Sequence, residues 1–117
     1  MHDFYVEIFS SIEGVEVFTV PNDDYFANYW LSAITIDAAK THGITSETLR
    51  LALEAENIES RPLWKPMHLQ PIFEKYPYYG SNVAKDLFDN GLCLPSGSNL
   101  TEEDRKRIKK VIELLFN

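Results

Sequence analysis

With 117 residues, 44% of them apolar and 13% aromatic, the chain has the size of one ordinary globular domain, 1–117, burying about two thirds of its unfolded surface. Its net charge of −7 is uneven: residues 1–60 carry eleven acids against Lys40 and Arg50, whereas residues 61–117 carry nine bases against seven acids. An acidic chain with no basic cluster outside one terminal helix argues against nucleic acid and anionic membrane surfaces as partners.

In chain order, Asp3 to Ile12 places Phe4, Tyr5, Ile8, Phe9 and Ile12 at helical spacing, closed by Gly14. This stripe starts almost at the first residue, as in the tail of a longer element. Val15 to Val20 reads as a strand and Pro21 to Asp24 as a turn. Tyr29 to Ile36, β-branched and aromatic with apolar side chains on both faces, reads as a central two-sided strand. That stretch is the longest apolar run and is too short to span a bilayer. With no cationic start at Met1 to Asp3, the expectation is a cytoplasmic protein.

Thr45 or Ser46 caps a helix running to about Glu56, with Leu49, Ala52 and Leu53 inward and Asn57 suited to a left-handed exit. Ile58 to Ser60 reads as a short strand. In the next segment, Glu59 to Pro71 (ESRPLWKPMHLQP), prolines hold two cations, an indole and a histidine in extended backbone. Arg61, Lys65 and His68 on such a rail, beside Trp64, can grip a phosphate and stack on a flat ring at low ordering cost. The competing reading makes Trp64 and Met67 plugs in the core and leaves the cations solvated.

Pro71 to Tyr79 is aromatic and irregular. Its Phe73, Tyr76, Tyr78 and Tyr79 suit either a partly wet interface or packing beneath the loop. Ser81 caps a helix through Asn90, which Gly91 ends, and Leu92 to Leu94 returns to the sheet. Cys93, the lone cysteine, permits no internal disulfide and reads as structural in a reducing compartment. Thr101 opens the last helix, with Ile108, Val111, Ile112 and Leu115 as its buried stripe. Arg105, Lys106, Arg107, Lys109 and Lys110 form its solvated face.

The order predicts an α+β fold, a small, mostly antiparallel sheet covered by helices on one face. His2, His42 and His68 share no ligand spacing, so no metal site is expected. Asp23/Asp24 and Glu102/Glu103 fit a turn and a helical first turn better than catalysis.

Taken together, Asn28 to Leu31 (NYWL), Ser60 to Pro71, Tyr79 to Ala84 (YGSNVA) and Gly91 to Gly97 (GLCLPSG) resemble the C-terminal small domain of the DegT family of sugar aminotransferases. These enzymes depend on pyridoxal phosphate (PLP), and the likeness is strongest to members that aminate nucleotide-linked keto-deoxy sugars for polysaccharide or glycan synthesis. The resemblance implies a fold-type I enzyme, usually a homodimer, in which PLP bound to a large-domain lysine takes an amino group from glutamate. The large domain lies outside this sequence. No catalytic or cofactor-binding residue is therefore assigned here, Lys40 and Lys65 are not the Schiff-base lysine, and the chain alone is expected to be inactive. Arg61, Trp64, Lys65 and His68 are expected to contact the nucleotide sugar. The alternative is a stand-alone, non-catalytic protein-interaction module.

Overall fold

A computed structural model describes residues 1–117. Its elements are α1 (His2–Phe9), β1 (Val15–Val17), β2 (Ser32–Ile36), α2 (Ser46–Ala55), β3 (Arg61–Pro62), a 3-10 turn (Met67–Leu69), α3 (Val83–Asn90), β4 (Gly91–Leu94) and α4 (Glu102–Phe116). The strands form one sheet in the order β1-β2-β4-β3, every pair antiparallel. This is the expected α+β architecture, except that the helices do not share one face: α3 lies against the second face of the sheet, where Gly91 meets Leu87.

Alternation along the paired strands explains the core. Ile34 and Ile36 of β2 and Leu92 and Leu94 of β4 are buried with Tyr5 and Phe9 of α1, Leu49 and Leu53 of α2, and Ile108, Val111 and Ile112 of α4. Ile58 joins them from the connection after α2. The intervening residues Glu16, Thr35, Ala33 and Cys93 fall on the other side of the sheet, where register aligns Thr35 with Gly91 and Ala33 with Cys93. α3 contributes no buried residue and packs against β2 and β4.

Several expectations need correcting. The strand expected at Tyr29–Ile36 begins only at Ser32: Tyr29 takes φ 46°, and the Trp30 amide donates to Asn28 Oδ1, so the chain turns before it can pair. β2 is also not two-sided, because its burial alternates; β4, buried at all four positions, is the strand enclosed on both faces. β1 stops at Val17, short of Val20. The strand expected at Ile58–Ser60 forms instead at Arg61–Pro62, since Ile58 is drawn into the core and pairing with β4 starts later. Pro62 is tolerated because β3 lies at the edge. α3 begins after Asn82 and has no side-chain cap; Ser81 is not its cap, and its carbonyl accepts from the Tyr78 hydroxyl at 2.6 Å. Gly91 is needed for closeness rather than helix termination: its φ is −98°, and a Cβ there would collide with Leu63 and the Leu87 carbonyl.

Other local readings hold. Thr45 and Thr101 cap α2 and α4 through reciprocal capping boxes, and Asn57 leaves α2 at φ 57°. No helix is long and apolar enough to cross a membrane.

Candidate functional site: a cleft beside the edge strand

The antiparallel pairing of β3 with β4 sets Arg61 opposite Cys93. Beside this edge lies a cleft of about 660 Å³ between the proline-held segment, the β4–α4 connection and α4. Leu31, Ile58, Leu94 and Leu100 supply apolar wall, and Ser60, Arg61, Trp64, Cys93, Ser96, Asp104 and Arg107 supply its polar and aromatic groups. The cleft rim is stiffened from below. Ser96 Oγ accepts from the Ser32 amide at 2.7 Å and donates to the Leu94 carbonyl at 2.8 Å. The buried Tyr5 hydroxyl donates to the Pro95 carbonyl at 2.8 Å.

Of the four residues singled out from the sequence, two line this cleft and two do not. Arg61 is 78% exposed and its Nε donates to Glu59 Oε1 at 2.7 Å. So exposed a pair contributes little stability, leaving the guanidinium free to exchange Glu59 for another anion. Trp64, 69% exposed, stands at the cleft with its indole in solvent. Lys65 is exposed outside the cleft, its carbonyl accepting from Gln70 Nε2. His68 sits in the 3-10 turn, half-buried and stacked on Tyr78 with ring centroids 3.7 Å apart. The core-plug reading of Trp64 and Met67 is therefore wrong: both are exposed. So is the reading of the aromatic cluster as packing beneath the loop, because Tyr76, Tyr78 and Tyr79 are exposed.

Arg107 is exposed, as expected of the solvated face of α4, and it also lines the cleft, where its Nη2 donates to the Glu56 carbonyl at 2.7 Å and ties α4 to the end of α2. Helical spacing could have revealed this, because Asp104, Arg107 and Ile108 stand three and four apart on one flank. The Thr101 amide and hydroxyl hold the Asp104 carboxyl below its usual range, with Arg107 acting in the same direction. Burial pushes the Cys93 thiol upward, away from nucleophilic use.

The site thus offers cations, an indole face and hydroxyls, a set suited to binding. No paired acid and base is arranged for bond-making.

Comparison with known proteins gives this geometry a family. The chain is similar to EpsN of Bacillus subtilis (strain 168), provisionally described as a pyridoxal phosphate-dependent aminotransferase, with 42% identity over 95 residues, covering 78% of this chain and 24% of EpsN. It is also similar to GDP-perosamine synthase of Escherichia coli O157:H7, with 36% identity over 81 residues, covering 68% of this chain and 21% of that enzyme. Among solved structures, DesI, determined in the presence of its TDP-sugar product, superposes with a TM-score of 0.80 at 25% identity over 97% of this chain and 29% of DesI. The chain spans about a quarter of the length of these relatives. The profile of the DegT/DnrJ/EryC1/StrS aminotransferase family matches residues 1–113, and the chain belongs to that family.

Proposed function

We propose that residues 1–117 form one domain, the C-terminal small lobe of a PLP-dependent sugar aminotransferase, and that this lobe grips the nucleotide sugar. The large lobe supplies the cofactor chemistry. Lys40 and Lys65 do not suit a Schiff base with PLP: both are exposed, whereas a Schiff-base lysine is activated by desolvation or a neighbouring cation. When bound in the complete enzyme, PLP acts as the electron sink that lets an amino group leave glutamate for a keto sugar.

In this reading Arg61 exchanges its Glu59 partner for a diphosphate oxygen, and Trp64 offers its face to a ring. Lys65 adds a mobile positive charge, and His68, oriented by Tyr78, hydrogen-bonds the ligand. The complete enzyme is a cytoplasmic homodimer serving polysaccharide or glycan synthesis. The observation that supports the reading most is the exposed Arg61–Trp64 pair at the mouth of a cleft, on a chain whose relatives include a GDP-perosamine synthase.

Titrating the isotope-labelled chain with a UDP-, GDP- or TDP-linked sugar, followed by amide NMR, tests it. Shifts concentrated between Arg61 and His68 are expected. The exposed aromatic face equally suits a stand-alone protein-interaction module, so silence toward all three nucleotides, with a stable protein partner seated on this loop, would replace the proposal with that alternative.

A further inference from the structure

The two guanidinium groups that line the cleft are held in opposite ways. Arg61, on the wall formed by β3, keeps Nε at 2.7 Å from Glu59 Oε1 with Nη2 beside the same oxygen, so the edge it would offer a ligand is covered by a carboxylate. Arg107, on the wall formed by α4, carries no such cover: none of the ion pairs in the fold includes it. Its Nη2 donates instead to the neutral Glu56 carbonyl at 2.7 Å, which orients the side chain without cancelling its charge. Most of its N–H donors stay free. The acid on the same flank, Asp104, is engaged elsewhere, since its Oδ2 accepts from the amide and the hydroxyl of Thr101 at 2.9 and 2.7 Å.

A cation oriented by a neutral acceptor and left without a counter-ion is a prepared anion seat, whereas one that carries its own carboxylate must first give up that partner. The other unpaired bases of α4, Lys106 and Lys110, are exposed and line no part of this cleft. Tethering therefore singles out Arg107. Both guanidiniums open on one space of about 660 Å³, the size of a small-molecule site rather than of a lone-ion site. Two cations on one space suit a ligand with two anionic centres, and a diphosphate carries one on each phosphoryl group. The indole of Trp64 in the same cleft supplies the flat face that a nucleobase stacks on.

We infer that Arg107 is a second anion contact of the cleft, seating one phosphoryl group of a nucleoside diphosphate while Arg61, released from Glu59, takes the other. The inference rests on the proposed grip on a nucleotide sugar and adds what that reading lacks, a reason for the cleft to prefer a diphosphate to a monophosphate. Each phosphoryl group then meets its own guanidinium.

An NMR titration of the isotope-labelled chain tests it, reading the Arg107 Nε–H signal with the amides and setting UDP, GDP and TDP against UMP, GMP and TMP. The Arg107 signal is expected to move with at least one diphosphate, and that diphosphate to bind roughly tenfold more tightly than its monophosphate. Arg107→Gln should lower diphosphate affinity and leave monophosphate affinity nearly unchanged, bringing the two within about twofold of each other, and Arg107→Lys should keep most of the preference. Loss of the tie between α4 and α2 alone would weaken both ligands alike, and the reading on the unaltered chain requires no variant to fold. A diphosphate preference that survives Arg107→Gln, equal weakening of both ligands, or an Arg107 signal that answers glutamate and no diphosphate would overturn the inference while leaving nucleotide binding at Arg61 intact. If the unaltered chain binds none of these nucleotides, the proposed grip itself falls and this inference falls with it.

Discussion

Tyr5 shows how much one side chain can carry. It is buried in the core, and its hydroxyl reaches Pro95 of the cleft rim, so a single residue couples α1 to the site. Tyr5→Phe keeps the packing but strands the Pro95 carbonyl, and should cost about 1–2 kcal/mol in a denaturant melt. Burial also pushes the hydroxyl well above its ordinary value near 10. Below pH 10 the group is neutral in both states. Above it the unfolded chain ionises first and binds fewer protons, so stability falls as pH rises. Melts from pH 8 upward should decline beyond pH 10, and Tyr5→Phe should flatten that limb; an unchanged slope would refute the assignment. The apolar stripe of α1 was plain from spacing, but the hydroxyl's partner lies at the far end of the chain, a contact no local pattern encodes. Arg61 and Trp64 were legible for the opposite reason, since flanking prolines force a local, exposed geometry.

Among the elements, α4 is the most transparent in the sequence. Thr101, the acids that follow it and the three-four stripe fix its start and its inner face without tertiary information. Its capping box also titrates. Asp104 accepts from the Thr101 amide at 2.9 Å and its hydroxyl at 2.7 Å, which hold the carboxyl below the ordinary value of 3.8. A carboxylate depressed in the folded state contributes stability above its unfolded value, and the contribution fades as pH drops toward the folded one. Thr101→Ala should therefore lower stability near neutral pH by about 1 kcal/mol, the usual scale for a lost cap. It should also reduce the loss seen on acidification below about pH 4, measured as denaturation midpoints at successive pH values. A parallel acid limb in the variant would contradict this. Strand boundaries were less legible. β2 starts late because Tyr29 adopts a left-handed turn, and β3 slips past Ile58 because the core claims that side chain; both outcomes depend on partners distant in sequence.

At the scale of the whole molecule, the sheet and three helices enclose one core, while the segment beyond β3 remains outside it. Family motifs in NYWL, SRPLWKPMHLQP and GLCLPSG made the fold legible as a unit. Cleft membership was not, since Lys65 and His68 share the rail of Arg61 yet miss the cleft, and Arg107 enters it from α4. The proposed division of labour, substrate grip here and cofactor chemistry in the larger lobe, is tested most directly by steady-state kinetics of Arg61→Ala in the complete enzyme. Loss of the proposed guanidinium–phosphate contact should raise KM for the nucleotide sugar roughly tenfold while KM for glutamate stays near its original value. An unchanged nucleotide-sugar KM, or an equal rise for both substrates, would contradict the account.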